Sequence, residues 1–159
     1  MARRRDDLRR VEQAITRMGR IGNGREAARI RAERSGVRIS RPGIAILAAV
    51  HARGPLRVTD IARQTGLEPP LVSREIRRLV EDGYVARRGD RSDGRAAIVT
   101  LTPAGTAAFG AYRSATDDIV TETFAGWTSA ELRELAGALE RVVDDFARAP
   151  GTPAVNHGT

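Results

Sequence analysis

Between Pro69 and Gly83 the apolar residues Val72, Ile76, Leu79 and Val80 recur at the spacing of an α-helix and make one stripe. The ends agree with the spacing. Pro69 and Pro70 suit a first helical turn, where a missing N–H costs nothing, and Gly83 stands where a left-handed cap is cheapest. At about 100° per residue, Ser73, Arg74, Arg77 and Arg78 fall within roughly 140° on the opposite side. The pattern predicts a helix that buries one face and offers three guanidinium groups and a hydroxyl to a partner. Alone, it is equally the pattern of an ordinary solvated helix; its neighbours decide.

Upstream, Ser40 is placed to cap a helix with Pro42 in its first turn. Ile44, Leu47 and Ala48 line its inner face, His51 continues that face, and Gly54-Pro55 ends it. Leu56 to Val58 reads as a very short strand. Thr59 is the expected cap of a two-turn helix, Asp60 to Thr65, which Gly66 closes. A helix, a tight glycine turn and a second helix with a basic outer face make a helix-turn-helix. After Gly83 the period changes from 3.6 to about 2. Tyr84 to Arg88 and Ala97 to Leu101 read as strands, and the polar, charged loop between them completes a β-hairpin wing.

The chain ends carry longer stripes. A basic arm, Met1 to Arg5, precedes a helix from Asp6 on which Leu8, Val11, Ile15 and Met18 align; Gly19, Gly22 and Gly24 interrupt it. A short helix over Arg25 to Arg34 stops at Gly36. Thr102-Pro103 opens a long helix carrying Phe109, Tyr112, Ile119 and Val120, which Gly126 breaks. Thr128 to Glu131 is a capping box for a last helix bearing Leu132, Leu135, Leu139, Val142, Val143 and Phe146 at near-heptad spacing. One small winged domain cannot cover so much apolar surface. The expectation is a homodimer built through Leu8, Val11, Ile15, Leu132, Leu135, Leu139, Val142, Val143 and Phe146. The fold class is therefore mainly α with a small β-hairpin wing. An N-terminal arm and dimerisation helices fill 1–39, and the winged helix-turn-helix 40–102. C-terminal dimerisation helices fill 103–149, and a loose tail 150–159.

Charge sharpens the picture. All 27 basic side chains are arginine, and the net charge is +7. Residues 1–100 hold 23 arginines against 12 acidic residues, and residues 101–159 hold 4 against 8. A basic front and an acidic rear predict that the front meets a polyanion. The chain has no cysteine and only two histidines, His51 and His157, so no metal site or cofactor is expected. No apolar run reaches the roughly 18 residues of a membrane span and no signal-peptide pattern opens the chain, so a cytoplasmic protein without a membrane partner is expected. No nucleophile–base pair or phosphate loop supports an enzyme. Two binding classes stay open: a sequence-specific regulator on double-stranded DNA, and a non-specific architectural protein using the same arginines.

Several segments together resemble the MarR family of bacterial transcriptional regulators. They are Leu56 to Thr65, Gly66-Leu67, Pro70 to Leu79, Gly83-Tyr84-Val85, Asp90 to Arg95 and Leu101-Thr102-Pro103-Ala104-Gly105. The wing run Asp-Arg-Ser-Asp-Gly-Arg followed by a strand and Leu-Thr-Pro-Ala-Gly is the most specific part. The resemblance covers roughly residues 40–146. It implies a homodimer on a pseudo-palindromic operator, usually a repressor, released by a small, often phenolic or otherwise aromatic, effector. The implied DNA contacts are Ser73, Arg74, Arg77 and Arg78 on the recognition helix and Arg95 on the wing, supported by Asp93; Thr59, Gln64, Pro70, Arg87 and Arg91 complete the expected set. Effector candidates are His51, Phe109, Tyr112 and Trp127. Ser92 and Gly94 stand where many members carry arginine, and the lack of cysteine removes the peroxide sensing of some members.

Overall fold

A computed structural model describes residues 2–89 and 97–148. The elements run α1 (Ala2–Gly22), α2 (Arg25–Ser35), α3 (Arg41–Arg53), β1 (Leu56–Arg57), α4 (Val58–Thr65), α5 (Pro69–Glu81), β2 (Val85–Gly89), β3 (Ala97–Leu101), α6 (Pro103–Thr123) and α7 (Ser129–Arg148). The protein is mostly helical, with one three-stranded antiparallel sheet in the order β1-β3-β2. The β2–β3 pair is the expected hairpin, and β1 adds a third strand through Leu56↔Val99 and Arg57↔Ile98.

The core lies where α3, α4, α5 and the sheet meet. Ile46, Leu47, Ile61, Val72 and Val99 have no solvent exposure, and Val50, Ile76, Leu79, Val85 and Phe109 close around them. Local chemistry sets each boundary. Ser40 caps α3 by accepting from the Gly43 N–H at 3.0 Å. After α5, Gly83 takes φ +76°, with Tyr84 N–H on Leu79 O and Gly83 N–H on Val80 O, a Schellman closure. The segment Thr102-Pro103-Ala104-Gly105 joins wing to helix. Thr102 accepts from the Gly105 N–H at 3.0 Å and donates to Gly83 O at 2.7 Å. A Cβ at Gly105 would fall on the Tyr84 carbonyl oxygen, so only glycine allows α6 to start so close to the hairpin.

Three sequence expectations need correction. Residues 2–5 are not an arm; α1 is helical from Ala2 and passes through Gly19 to Gly22. Ion pairs one turn apart, Arg9 with Asp6 and Arg10 with Asp7, add a little to the turn that follows, and one interior glycine costs only about 1 kcal/mol. Thr59 does not cap α4: the helix starts at Val58, Arg57 is its cap residue, and no side chain bonds there. On α5, Val80 is 40 % exposed and Glu75 is buried in its place.

The outer helices are attached differently. Arg34 on α2 makes a two-pronged ion pair with Glu122 on α6, at 2.6 and 2.7 Å, which holds the Glu122 carboxyl below its usual range. Arg31 donates to Gly22 O across the α1–α2 turn. The capping box forms at α7: Thr128 N–H donates to Glu131 at 2.8 Å, Glu131 N–H donates back to the Thr128 hydroxyl, and the Glu131 carboxyl is lowered accordingly. Along α1 and α7, however, Leu8, Val11, Met18, Ile21, Leu139, Val143 and Phe146 stay exposed.

Candidate nucleic-acid interface

Helix α5 buries Val72, Glu75, Ile76 and Leu79 against α3 and α4. At about 100° per residue, the midpoint of that arc lies about 180° from the midpoint of Ser73, Arg74, Arg77 and Arg78. Packing therefore turns all four side chains outward, and all four are exposed. Arg74 and Arg77 have no ion-pair partner among the described residues, while Arg78 lies 3.7 Å from Glu75 one turn back. Free guanidinium forks on a fixed rod suit guanine edges and phosphates. Pro70 is exposed in the first turn, and Glu68, the cap residue, makes no capping bond. With Pro69 and Pro70 at its first two positions, the start of α5 has few N–H groups to offer a phosphate, so its side chains carry the interface.

Around this face stand other expected residues. Thr59 is exposed in the first turn of α4, and Gln64 is half-buried near its end. Arg87 is exposed on β2. Arg91, Asp93 and Arg95 lie outside the described residues. The sheet adds two arginines that the sequence reading passed over. Register places Arg57, Ile98 and Arg88 in one cross-strand row, so Arg57 and Arg88 share a sheet face, two strand spacings or about 10 Å apart. Arg88 was within reach of the period-2 pattern; Arg57 was not, because only strand pairing brings it there.

Of the four effector candidates, His51 and Phe109 are neighbours. His51 is exposed, its ring 5.0 Å from Phe109, which belongs to the core. Trp127 meets Phe124 edge-on at the α6–α7 turn. Tyr112 lines a cavity of about 180 Å³, with Arg31, Arg41, Asn23, Val37, Ile39 and Ile44, between α2 and α3.

This is a winged helix-turn-helix protein: a three-stranded sheet, a helix-turn-helix and an arginine-faced second helix. Residues 39–96 match the sequence model of the MarR family. No curated protein sequence matches the chain. Solved structures do. A MarR family protein from Bacillus stearothermophilus superposes with TM-score 0.74 at 15 % identity, over 93 % of this chain and 99 % of that one. A probable transcriptional regulator from Pseudomonas aeruginosa gives 0.66 at 26 % identity, over 83 % and 98 %. BpsR of Bordetella bronchiseptica, whose DNA binding is regulated by 6-hydroxynicotinic acid, gives 0.55 at 26 % identity, over 66 % and 80 %. The chain thus carries the fold of MarR-family transcriptional regulators. No described helix is long and apolar enough to cross a membrane.

Proposed function

We propose that the protein is a sequence-specific transcriptional regulator that binds double-stranded DNA as a homodimer and does not catalyse. The observation that carries this reading is the outward arginine face of α5, backed by a fully packed inner face. Two such helices related by a two-fold axis enter successive major grooves, roughly 34–36 Å apart. Arg74 and Ser73, nearest the helix start, read base edges. Arg77, Arg78, Arg87 and the wing arginines Arg91 and Arg95, steadied by Asp93, hold phosphates; Thr59, Gln64 and Pro70 border the groove.

Residues 40–102 form the DNA-binding unit, and 1–39 with 103–149 form the dimer. The exposed stripes of α1 and α7 support that division. They face each other across an apolar groove of about 330 Å³ that includes Leu8, Val11, Ile15, Val142 and Phe146. Leu132, Leu135, Leu139 and Val143 continue the α7 side.

The direction of regulation is repression, relieved by a small aromatic acid in the cavity beside Tyr112. Arg41 and Arg31 offer charge to a carboxylate, and Val37, Ile39 and Ile44 offer an apolar wall. Selection of bound duplexes from a random pool by the purified protein tests the core of the reading. A recovered palindrome supports it. Uniform recovery favours the architectural alternative, and no recovery in dilute salt removes DNA binding altogether.

A further inference from the structure

Glu75 is the buried charged residue of the recognition helix, only 5 % exposed. One carboxylate oxygen accepts a hydrogen bond from the Ser40 hydroxyl at 2.5 Å; the other lies 3.7 Å from an Arg78 guanidinium nitrogen. Ser40 is itself the cap of α3, so its hydroxyl is engaged twice, accepting from Gly43 N–H and donating to Glu75. The segment Ser40-Arg41-Pro42-Gly43 has no acidic residue where a capping box would hold one, and there is no room for it. A Cβ on Gly43 would come within 2.7 Å of the Ile39 side chain. The carboxylate at the positive end of α3 is supplied by α5 instead, where the helix field favours it. A buried carboxylate is a weak source of stability, since an apolar side chain of similar volume often serves as well. Fixing geometry is what this one does better than an apolar residue.

We infer that Glu75 is a positioning residue of the DNA-reading surface: it pins the middle of α5 to the N-terminus of α3 and sets a negative charge beside the Arg78 guanidinium. The inference rests on the DNA-binding reading above. It has two consequences. The rotation of α5 in the groove is set by Ser40, and Ile39 and Arg41, the neighbours of Ser40, line the cavity beside Tyr112. A shift of that short linker is therefore passed to the arginine face without crossing the core. Second, the Glu75 charge 3.7 Å from Arg78 offsets part of the attraction of that guanidinium for phosphates in general.

The test compares wild type, Glu75→Met, Glu75→Gln, Ser40→Ala and Ser40→Thr on the selected duplex and on a random duplex at two salt concentrations. Thermal unfolding is followed on each. Glu75→Met is expected to keep its thermal midpoint within a few degrees. Its discrimination between the duplexes should fall about tenfold, with the random duplex bound more tightly. Its salt slope should steepen by up to about one phosphate contact as Arg78 is released. Glu75→Gln keeps an acceptor for Ser40 and loses the charge, so it should steepen the slope with a smaller loss of discrimination. Ser40→Ala should lose discrimination, and Ser40→Thr should restore it. If the methionine variant does not fold, the glutamine variant decides through the slope. Wild-type discrimination and slope in folded Glu75 variants would overturn the inference and leave DNA binding intact. A wild type that ignores both duplexes would overturn both.

Discussion

Ile61 on α4 has no solvent exposure, whereas Met18 on α1 and Phe146 on α7 are more than half exposed, although all three sit on regular apolar stripes. In the winged core each stripe meets another within the same chain: α3, α4, α5 and the sheet close over Ile46, Leu47, Ile61 and Val99. On the terminal helices the stripes meet nothing comparable. The contrast teaches that an apolar stripe states a need for a partner without stating where the partner resides. Period and length are the same whether the covering surface is intramolecular or lies on a second copy.

The most severe way to break that contrast is to charge the terminal face. Leu8→Asp with Phe146→Asp should give a folded single subunit by sedimentation. Affinity for the selected duplex should drop by about 10²–10⁴-fold, because two linked half-site contacts become one. A variant that stays dimeric would put the subunit contact elsewhere. Next in size is Ile61→Ala, which removes a fully buried side chain and should cost about 2–5 kcal/mol in denaturant unfolding. The loss should be the same in the parent and in the charged double variant, because the two sites share no partners. A loss that depends on the terminal substitutions would mean that core and ends form one cooperative unit. Smaller again, Thr128→Ala removes the hydroxyl that caps α7 and should cost about 1 kcal/mol, read as a lower unfolding midpoint.

The same contrast divides what could be read from the chain alone. Caps and glycine closures are local, so α3 through β3 emerged near their true bounds: Ser40, Gly66, Gly83 and Thr102 each act on residues within a few positions. Rotation of a helix about its own axis is not local. The apolar residues of α5 put Val80 inside, but contact with α3 turns the helix so that Glu75 goes in and Val80 comes out. Glu75 lies three residues from both Val72 and Arg78, a spacing compatible with either face, and its polarity argued for the wrong one. The basic start of α1 reads as an arm because arginine runs suggest solvation; in the structure it continues the helix that runs on to Gly22. For the interface, the α5 arginines were legible as a periodic pattern. The Arg57–Arg88 row was not, since it depends on β3 lying between strands that are far apart in sequence.

The smallest effect concerns the seam between the regions, where α2 is tied to α6 by Arg34 and Glu122. The hydrogen bonds from Arg34, with its charge, hold the Glu122 carboxyl below the ordinary value of 4.5. A carboxyl whose folded pKa is depressed contributes stability in full above its unfolded value and loses it as pH falls through the folded one. Glu122→Gln should therefore lower the unfolding midpoint slightly and by a constant amount from neutral pH down to about pH 5. Below pH 4.5, the unfolded reference value, the gap to wild type should narrow and then close. Both side chains are solvent-exposed, so the gap should also shrink in high salt at neutral pH. Matched thermal scans of the two proteins across that range measure it. A gap that widens on acidification would carry the wrong sign for this pair and assign acid sensitivity at the seam to another group.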